Sequence, residues 1–174
     1  MKLTRNQCIV IKFLLKNART SDAAIARHLK ISLQAVRNIR QKLERNNIIK
    51  SYSSIMDYEK LGINIFTIVL YKVTAQTWVE FNESSIEKWL LHPNTIKLYR
   101  VPNGDITHIV HYGFRDVVEM NYFFQTLQSK YSKYIEIEKL YTICNGNLVK
   151  DSHNSLINST LSSKYEQPKP LELK

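Results

Sequence analysis

Apolar residues recur at helical spacing in three short stretches at the start of the chain. Thr4 and Gln7 have the spacing of a capping box for a first helix, which ends near Asn17. Ser21 and Ser32 are placed to cap a second and a third helix, the third ending at residue 46 or 47. Three capped helices with a minimal link between the last two are typical of a helix-turn-helix.

The third helix has one apolar side and one long-armed polar side. Val36, Ile39 and Leu43 fall within about 60° of one another and are expected to face the core. An ordinary solvated side would alternate Glu with Lys, and only Glu44 is present here. Guanidinium and amide groups can bond to guanine and adenine edges in the major groove. The candidate base-contacting residues are Gln34, Arg37, Asn38 and Gln41.

A loosely alternating segment follows Asn47, a residue suited to end a helix in the left-handed conformation. Its pattern predicts a wing hairpin over residues 48–56, beside the third helix. Basic and hydroxyl side chains around such a module hold phosphates and position it on the duplex. The candidate phosphate contacts are Arg27, Lys30, Ser32, Arg45, Lys50, Ser51 and Tyr52. Residues 1–56 are therefore predicted to form a winged helix-turn-helix, and residues 57–64 a connector.

Strand and helix patterns alternate in the second segment, residues 65–150. Strands are predicted at 65–74, 95–101, 106–114 and 135–144. One helix, starting near Thr77 or Ser84, follows the first strand, and another, capped by Asp116, follows the third. Asn103 and Gly104 signal a tight hairpin between the middle strands. The order β-α-β-β-α-β is ferredoxin-like, so the predicted fold class of the whole chain is α+β.

The first strand of this segment is apolar on both sides. Phe66, Ile68 and Leu70 alternate with Ile65 and Val69, so one side can pack on helices while the other needs a different cover. The same sheet of a second copy is the expected cover, which predicts a homodimer or a higher oligomer. Residues 151–174 are polar and are predicted to be a tail that is flexible or folds on a neighbour.

Charge is distributed unevenly along the chain. The 174 residues contain 25 Lys and Arg against 15 Asp and Glu, a formal net charge of +10. Residues 1–56 contain 12 of the basic and two of the acidic residues, whereas the remaining 118 residues contain 13 of each. Such an asymmetry is typical of a nucleic-acid module joined to a neutral domain. The predicted partner of the first segment is double-stranded DNA.

The sequence contains little that indicates catalysis. Cys8 and Cys144 lack metal-ligand spacing and are interpreted as small buried hydrophobes. His108 and His111, three apart on a strand, point to opposite faces and cannot share a metal ion. Phosphate loops and nucleophile motifs are absent, and so are a membrane-length apolar run and a signal peptide. We expect a cytoplasmic protein that is not an enzyme and has no cofactor.

At these positions the chain resembles the Lrp/AsnC, or feast-famine, transcriptional regulators. The likeness runs from Leu3 to about Cys144 and is strongest in the first segment and the connector. The residues with the strongest likeness are Ala18-Arg19-Thr20-Ser21, Ile25-Ala26, Ile31-Ser32, Val36-Arg37, Leu43-Glu44, Ile48-Ile49-Lys50 and Asp57-Tyr58-Glu59-Lys60-Leu61-Gly62. The resemblance implies a prokaryotic DNA-binding regulator with a ferredoxin-like (RAM) domain for dimerisation, sometimes responsive to a small molecule such as an amino acid.

The chain departs from the family pattern at three places. Lys30 and Asn47 stand where glycines are usual. In the third helix the basic residue follows the apolar one, as in Val36-Arg37, whereas family members commonly have the opposite order, so the role of Arg40 is left open. In the ligand loop of the family, a Gly is often followed three residues later by Asp, whereas here Thr107 has that spacing from Gly104 and Asp105 is the nearer acid. Gly104 and Asp105 are the candidate ligand residues, with a plain hairpin turn as the alternative.

Two other functions remain open at this point. Sirohaem decarboxylases resemble the same architecture, and Tyr99, Arg100, His108 and His111 are the residues that could supply their chemistry. A second alternative is an architectural DNA binder with little sequence preference, because charge alone is sufficient for that function.

Overall fold

The computed structural model describes residues 3–147, 149 and 152–163. They form two compact units: a helical unit of residues 3–55 and 152–163, and a sheet unit of residues 56–147 and 149. The elements are, in chain order, α1 (Arg5–Lys16), α2 (Asp22–Leu29), α3 (Leu33–Arg45), β1 (Ile65–Val73), α4 (Ala75–Glu80), α5 (Glu83–Leu90), β2 (Thr95–Arg100), β3 (His108–Phe114), α6 (Val117–Tyr131), β4 (Ile135–Cys144), a 3-10 turn (Asn145–Asn147) and α7 (Asn154–Ser163).

Helices α1, α2 and α3 begin at the side-chain caps that the sequence predicts. Thr4 Oγ1 accepts the backbone N–H of Gln7, and Gln7 Oε1 accepts the N–H of Thr4 at 2.8 Å, which completes the capping box. The hydroxyls of Ser21 and Ser32 each accept the N–H three residues further on, at 3.2 and 3.1 Å. These caps explain why three short helices begin where they do.

Two turns of the helical unit use the left-handed backbone conformation without glycine. Lys30, after α2, and Asn47, after α3, both have φ of 54°. L residues other than glycine adopt this conformation uncommonly, and Asn tolerates it best. Asn47 therefore ends α3 as the sequence predicts, and Lys30 forms the tight link between α2 and α3 in place of the usual glycine.

The wing hairpin predicted over residues 48–56 is wrong, because this segment contains no strand. Its backbone pairs with the end of α3 instead: the N–H groups of Ile48 and Ile49 both donate to the carbonyl oxygen of Leu43, at 2.9 and 3.2 Å. Ile49 packs against the core that is built around Val10 and Val36, whereas Ile48 is exposed. An irregular segment therefore follows α3.

Helix α7 packs on the helical unit, where the sequence predicts a polar tail. Leu161 is buried in the core of this unit and Ile157 packs against it. Asn154 Nδ2 donates to the carbonyl oxygen of Leu15 at 3.1 Å, which ties the first turn of α7 to α1. The two apolar residues that pack, Ile157 and Leu161, are four positions apart in a mostly polar sequence. The composition of the segment therefore gives no sign that it forms a packed helix. Residue 151 and residues 164–174 of the predicted tail lie outside the described residues.

The sheet unit has the predicted β-α-β-β-α-β order. Its strands are antiparallel, in the order β2-β3-β1-β4. Val69 and Tyr71 of β1 and Val110 and Tyr112 of β3 are fully buried among α5 and α6 side chains, including Leu90. The alternate residues of the same strands lie on the opposite face, which no helix of the sheet unit covers.

Several local details of the sheet unit differ from the prediction. The first crossover contains two short helices, α4 and α5, where one helix is predicted. The connection between β2 and β3 is a loop over residues 102–106, longer than a two-residue hairpin, and β3 begins at His108 and not at residue 106. Pro102 cannot donate a ladder hydrogen bond, so the pairing stops at the bond from the Val101 N–H to the Thr107 oxygen.

Cys8 is buried as predicted, whereas Cys144 is exposed because it ends an edge strand. His108 is fully buried on the helix side of β3, and His111 lies on the other face beside Phe66. In the described part of the chain, no cluster of three or more His, Cys, Asp or Glu residues could hold a metal ion. The same residues include no helix of the length and apolarity needed to span a membrane.

Candidate nucleic-acid interface

Helix α3 presents to solvent the polar side that the sequence predicts. Val36 and Leu43 are fully buried and Ile39 packs against the same core, which fixes the rotation of the helix. Every candidate base-contacting residue is exposed on the opposite side. These residues are Gln34, Arg37, Asn38 and Gln41. Among them, Gln34 Nε2 donates to Asn38 Oδ1 at 3.0 Å, so two amides one turn apart hold each other in place.

Arg40 does not belong to this exposed side, because it joins α3 to the beginning of α2. Its Nη2 lies 2.6 Å from Asp22 Oδ1 and donates to the carbonyl oxygen of Thr20 at 3.1 Å. Partial burial opposes the positive charge, but Tyr52 and Asp22 outweigh it and raise the pKa of Arg40 above its ordinary value. Arg40 is therefore a clamp within the helical unit, a role that the sequence leaves undetermined.

Tyr52 is part of the same clamp. Its hydroxyl donates to Glu44 Oε1 at 2.7 Å and accepts from Arg40 Nη1 at 3.4 Å. The Arg40 guanidinium carbon also lies 5.7 Å from the centre of the Tyr52 ring. Burial and the bond to Glu44 raise the pKa of Tyr52. Because its hydroxyl is already bonded, Tyr52 is placed to fix the segment after α3 as much as to meet a phosphate.

Both acidic residues of the helical unit that the structure describes are bonded internally. Asp22 pairs with Arg40, and Glu44 accepts from Tyr52. Each carboxylate is thereby turned toward a partner within the unit, whereas most of the Lys and Arg residues are exposed. The outward surface of the helical unit is consequently basic, which is the electrostatic property that a polyanion requires.

The candidate phosphate contacts surround α3 and are all exposed. They are Arg27 and Lys30 at the end of α2, Ser32 at the start of α3, Arg45 at its end, and Lys50, Ser51 and Tyr52 in the segment that follows. The Ser32 hydroxyl oxygen accepts the hydrogen bond that caps α3, and its O–H can still donate to a phosphate. The geometry thus brings the polar side of α3 and these side chains together on one unit.

Gly104 and Asp105 lie exposed in the loop between β2 and β3. Gly104 has φ of 153°, a backbone conformation that favours glycine, and a methyl group added there would meet only backbone atoms of Ile106 at 4.0 Å. A turn requirement therefore accounts for this glycine by itself.

The four residues considered for decarboxylase chemistry lie on two faces of the sheet. Arg100 and His108 are opposite one another in the β2–β3 ladder, whereas Tyr99 and His111 belong to the alternate set. Arg100 is paired with Glu87 at 2.6 Å, and His108 stacks on a tryptophan ring at 6.4 Å. They do not converge on one site.

Comparison with known proteins agrees with this geometry. The family model for winged helix-turn-helix DNA-binding domains matches residues 3–50. The chain is 30% identical to an HTH-type transcriptional regulator of Pyrococcus horikoshii, over 68% of this chain and 73% of that protein. It is 25% identical to the regulator LrpB of Bacillus subtilis, over 82% and 93%.

The structural comparison extends the match to the sheet unit. The solved structure of B. subtilis LrpC superposes with a TM-score of 0.65 at 25% identity, covering 83% of this chain and 94% of LrpC. Both units thus have counterparts in one protein, in the same order. The chain belongs to the Lrp/AsnC family of helix-turn-helix transcriptional regulators.

Proposed function

We propose that this regulator binds duplex DNA with sequence preference, as a dimer or a higher oligomer, and controls transcription in the cytoplasm of a prokaryote. The single observation that supports this most is the state of the two acids of the helical unit. Asp22 and Glu44 are both bonded internally, so the exposed side of α3 is left polar, basic and free of carboxylates. Such a surface suits major-groove edges flanked by phosphates.

In this proposal the exposed side chains of α3 have different roles. Arg37 donates to a guanine edge, and Asn38, held by Gln34, bonds to adenine, while Gln41 lies one turn further along the same side. The phosphate contacts described above fix the register of the helix on the duplex without reading sequence. Tyr52 contacts a phosphate in this proposal only by turning its O–H away from Glu44 Oε1, because phosphate oxygens accept hydrogen bonds and do not donate them.

We propose that two copies associate through the sheet face that lies opposite the helices. Ile68, Leu70 and Ile109 are only half-buried there, and Tyr141 is 51% exposed. The ladder places Leu70 opposite Ile109 and Ile68 opposite Tyr141, so these apolar side chains form one continuous patch. A two-fold dimer through this patch presents two α3 helices to half-sites separated by about one helical turn of DNA or a multiple.

Regulation by a small molecule at Gly104 and Asp105 remains a secondary proposal, since a turn explains Gly104 equally well. An architectural DNA binder would have the same charge but no need for a side of α3 that combines amides with guanidinium.

We propose no enzymatic function: the named relatives are regulators, and the four candidate catalytic residues are divided between two faces.

Selection of bound fragments from random duplex DNA, followed by alignment, tests the proposal. We expect an inverted repeat, as two-fold symmetric regulators select. On the selected site, Arg37→Ala and Asn38→Ala should each lower affinity by about 1–3 kcal/mol, with little change on scrambled DNA. Arg115→Ala in the sheet unit is the matched control and should change neither affinity.

Two results would refute the sequence-preferring function. Recovery of fragments without any common motif would leave only an architectural binder. Equal losses for Arg37→Ala on selected and scrambled duplexes would reduce that residue to a phosphate contact.

A further inference from the structure

The helical unit contains a cavity that no residue of α3 lines. Its volume is about 1100 Å³, and its walls come from α1, from the segment of residues 48–55 and from α7. Binding pockets for small molecules usually measure about 300–1,000 Å³, so this space is large enough for one. It is distinct from the side of α3 that we propose for base contacts, although Lys50, Ser51 and Tyr52, which we propose as phosphate contacts, also line it.

Apolar side chains from all three elements line this cavity, beside polar residues of the segment 48–55 and of the start of α7. The apolar ones are Ile11, Leu14 and Leu15 of α1, Ile48, Ile49 and Ile55 of the segment, and Ile157 and Leu161 of α7. Ile55 is 86% exposed and Ile48 is 38% exposed, so part of this wall is in water when the cavity is empty. Clustered apolar surface of this kind is typical of a binding site.

The Lys and Arg residues that line the cavity have no acidic neighbour in its lining. They are Lys16, Arg19 and Lys50. Among residues 3–147, 149 and 152–163, no ion pair within 4.0 Å involves these three side chains. Helix α7 begins at this cavity, where His153 and Asn154 line it, and a helix N-terminus adds positive potential.

The apolar side chains and the unpaired cations of the lining together define the chemistry of an occupant. A nucleic acid is excluded by the apolar walls, and a neutral hydrocarbon would leave the three cations without a counter-charge. We propose that this cavity binds a small amphipathic carboxylic acid of the fatty-acid type. The apolar chain lies between α1, Ile48 and Ile157, and the carboxylate lies among Lys16 and Arg19.

This site requires the full chain, because α7 forms one of its walls. Without Ile157 and Leu161 the cavity would lack one wall, and these residues follow the sheet unit in the sequence. A bound acid would touch α1, the segment after α3 and α7 at once. The site lies in the helical unit, whereas Gly104 and Asp105, the loop residues considered for an effector, lie in the sheet unit.

Sodium dodecanoate, below its critical micelle concentration, is the probe. Full-length protein labelled at isoleucine δ1 methyl groups is titrated and followed by NMR. We expect saturable shifts at Ile48, Ile55 and Ile157, and none at Ile68 and Ile109 of the sheet unit. Dodecan-1-ol has the same chain without the charge and should bind at least about tenfold more weakly.

Two variants locate the carboxylate and the chain. The double variant Lys16→Glu, Arg19→Glu should weaken dodecanoate binding by about tenfold or more. Ile157→Trp should fill the cavity and weaken dodecanoate and dodecan-1-ol alike. Lys88→Glu, on α5, is the matched charge reversal and should change nothing. The methyl spectrum of each variant also shows whether the helical unit is folded.

The proposal is overturned if dodecanoate shifts no methyl group, shifts sheet-unit methyl groups to the same extent, or binds a folded double variant as tightly as the wild type. A double variant that fails to fold leaves the decision to Ile157→Trp, where unchanged binding would equally refute it. None of these measurements uses DNA, so their outcome is independent of the proposed function.

Discussion

The helical unit and the sheet unit use their charged side chains in opposite ways. In the helical unit, Asp22 and Glu44 are bonded to neighbours, and the exposed basic residues of α3, such as Arg37, form no ion pair within the described residues. In the sheet unit, carboxylates pair with exposed basic residues such as Arg100, which binds Glu83 and Glu87. The comparison shows that a surface suited to a polyanion depends on where the few acids are placed as well as on the number of bases.

The two units also differ in how they complete their apolar surfaces. The helical unit covers α1 with α7, so Leu161 contributes to its core from the far end of the chain. The sheet unit buries one face under α5 and α6 and leaves the other, which includes Ile68 and Tyr141, without a cover of its own. The uncovered face of the sheet unit is the one that we propose for the contact with a second copy.

The largest expected effect is a loss of stability in the helical unit that leaves the stability of the sheet unit unchanged. Leu43→Ala removes a fully buried side chain of α3 and should destabilise the helical unit by about 2–5 kcal/mol. Trp78 and Trp89, the two tryptophans of the chain, both lie in the sheet unit. Thermal unfolding should therefore show an earlier loss of helical circular dichroism with an unchanged tryptophan transition.

Leu90→Ala, which removes a fully buried side chain of α5, is the counterpart in the sheet unit and should move the tryptophan transition. A common shift of both signals in Leu43→Ala would mean that the two units unfold as one, contrary to the comparison.

Ile68→Asp should disrupt the proposed dimer. It places a carboxylate in the centre of the patch that Leu70, Ile109 and Tyr141 form, where desolvation of the charge costs more than the contacts return. A loss of about 2 kcal/mol or more of association free energy is expected for a central interface position. Light scattering across a dilution series measures it. Val79→Asp, on exposed α4, is the control, and a wild-type monomer at micromolar concentration would refute the interface.

Arg40→Ala should destabilise the helical unit by about 1–2 kcal/mol, because it leaves Asp22 without its ion-pair partner and the Thr20 carbonyl without its donor. A double-mutant cycle with Asp22→Asn measures the coupling of the pair by chemical denaturation. Arg37→Ala, one turn away on the exposed side, should change stability by less than about 0.5 kcal/mol. Equal losses for the two arginines would contradict their assignment to different sides of α3.

The smallest effect is a pH dependence confined to the sheet unit. Burial lowers the pKa of His108; Glu87 and Glu83 oppose this shift, and Arg100 adds to it. Since the folded-state pKa lies below the unfolded value, the unfolded chain takes up the proton first and stability falls as pH drops below about 6.5. Tryptophan-detected melting at pH 7.5 and 5.5 should show this fall, reduced in His108→Gln. His92→Gln, at an exposed position, is the control, and an unchanged pH dependence in His108→Gln would contradict the assignment.

Local signals predicted the helical unit well because they depend on neighbouring residues. The caps at Thr4, Ser21 and Ser32 and the helix end at Asn47 each depend on contacts within a few residues, and each is present in the structure. The orientation of α3 followed from the positions of its apolar residues, such as Val36. The order of strands and helices along the sheet unit could be predicted for the same reason, because each element has its own local pattern.

Features that depend on distant partners were missed. The packing of Leu161 on α1 joins residues about 150 positions apart, and a polar composition gives no sign of it. The bonds of Tyr52 to Arg40 and Glu44 depend on the path of an irregular segment, whose loose alternation suggested a hairpin. To predict these contacts from the sequence, one would have to ask which side chains could pair with Asp22 and Glu44.

The central claim is that the helical unit presents an acid-free basic surface to duplex DNA. Fluorescence anisotropy of the full-length protein on a labelled duplex, repeated at several salt concentrations, tests it most directly. We expect binding at low salt whose logarithm falls linearly with log[salt], with a slope reduced by about one unit in Lys50→Ala and unchanged in Lys88→Ala. Absence of a complex at low salt, or binding that does not depend on salt, would contradict the account.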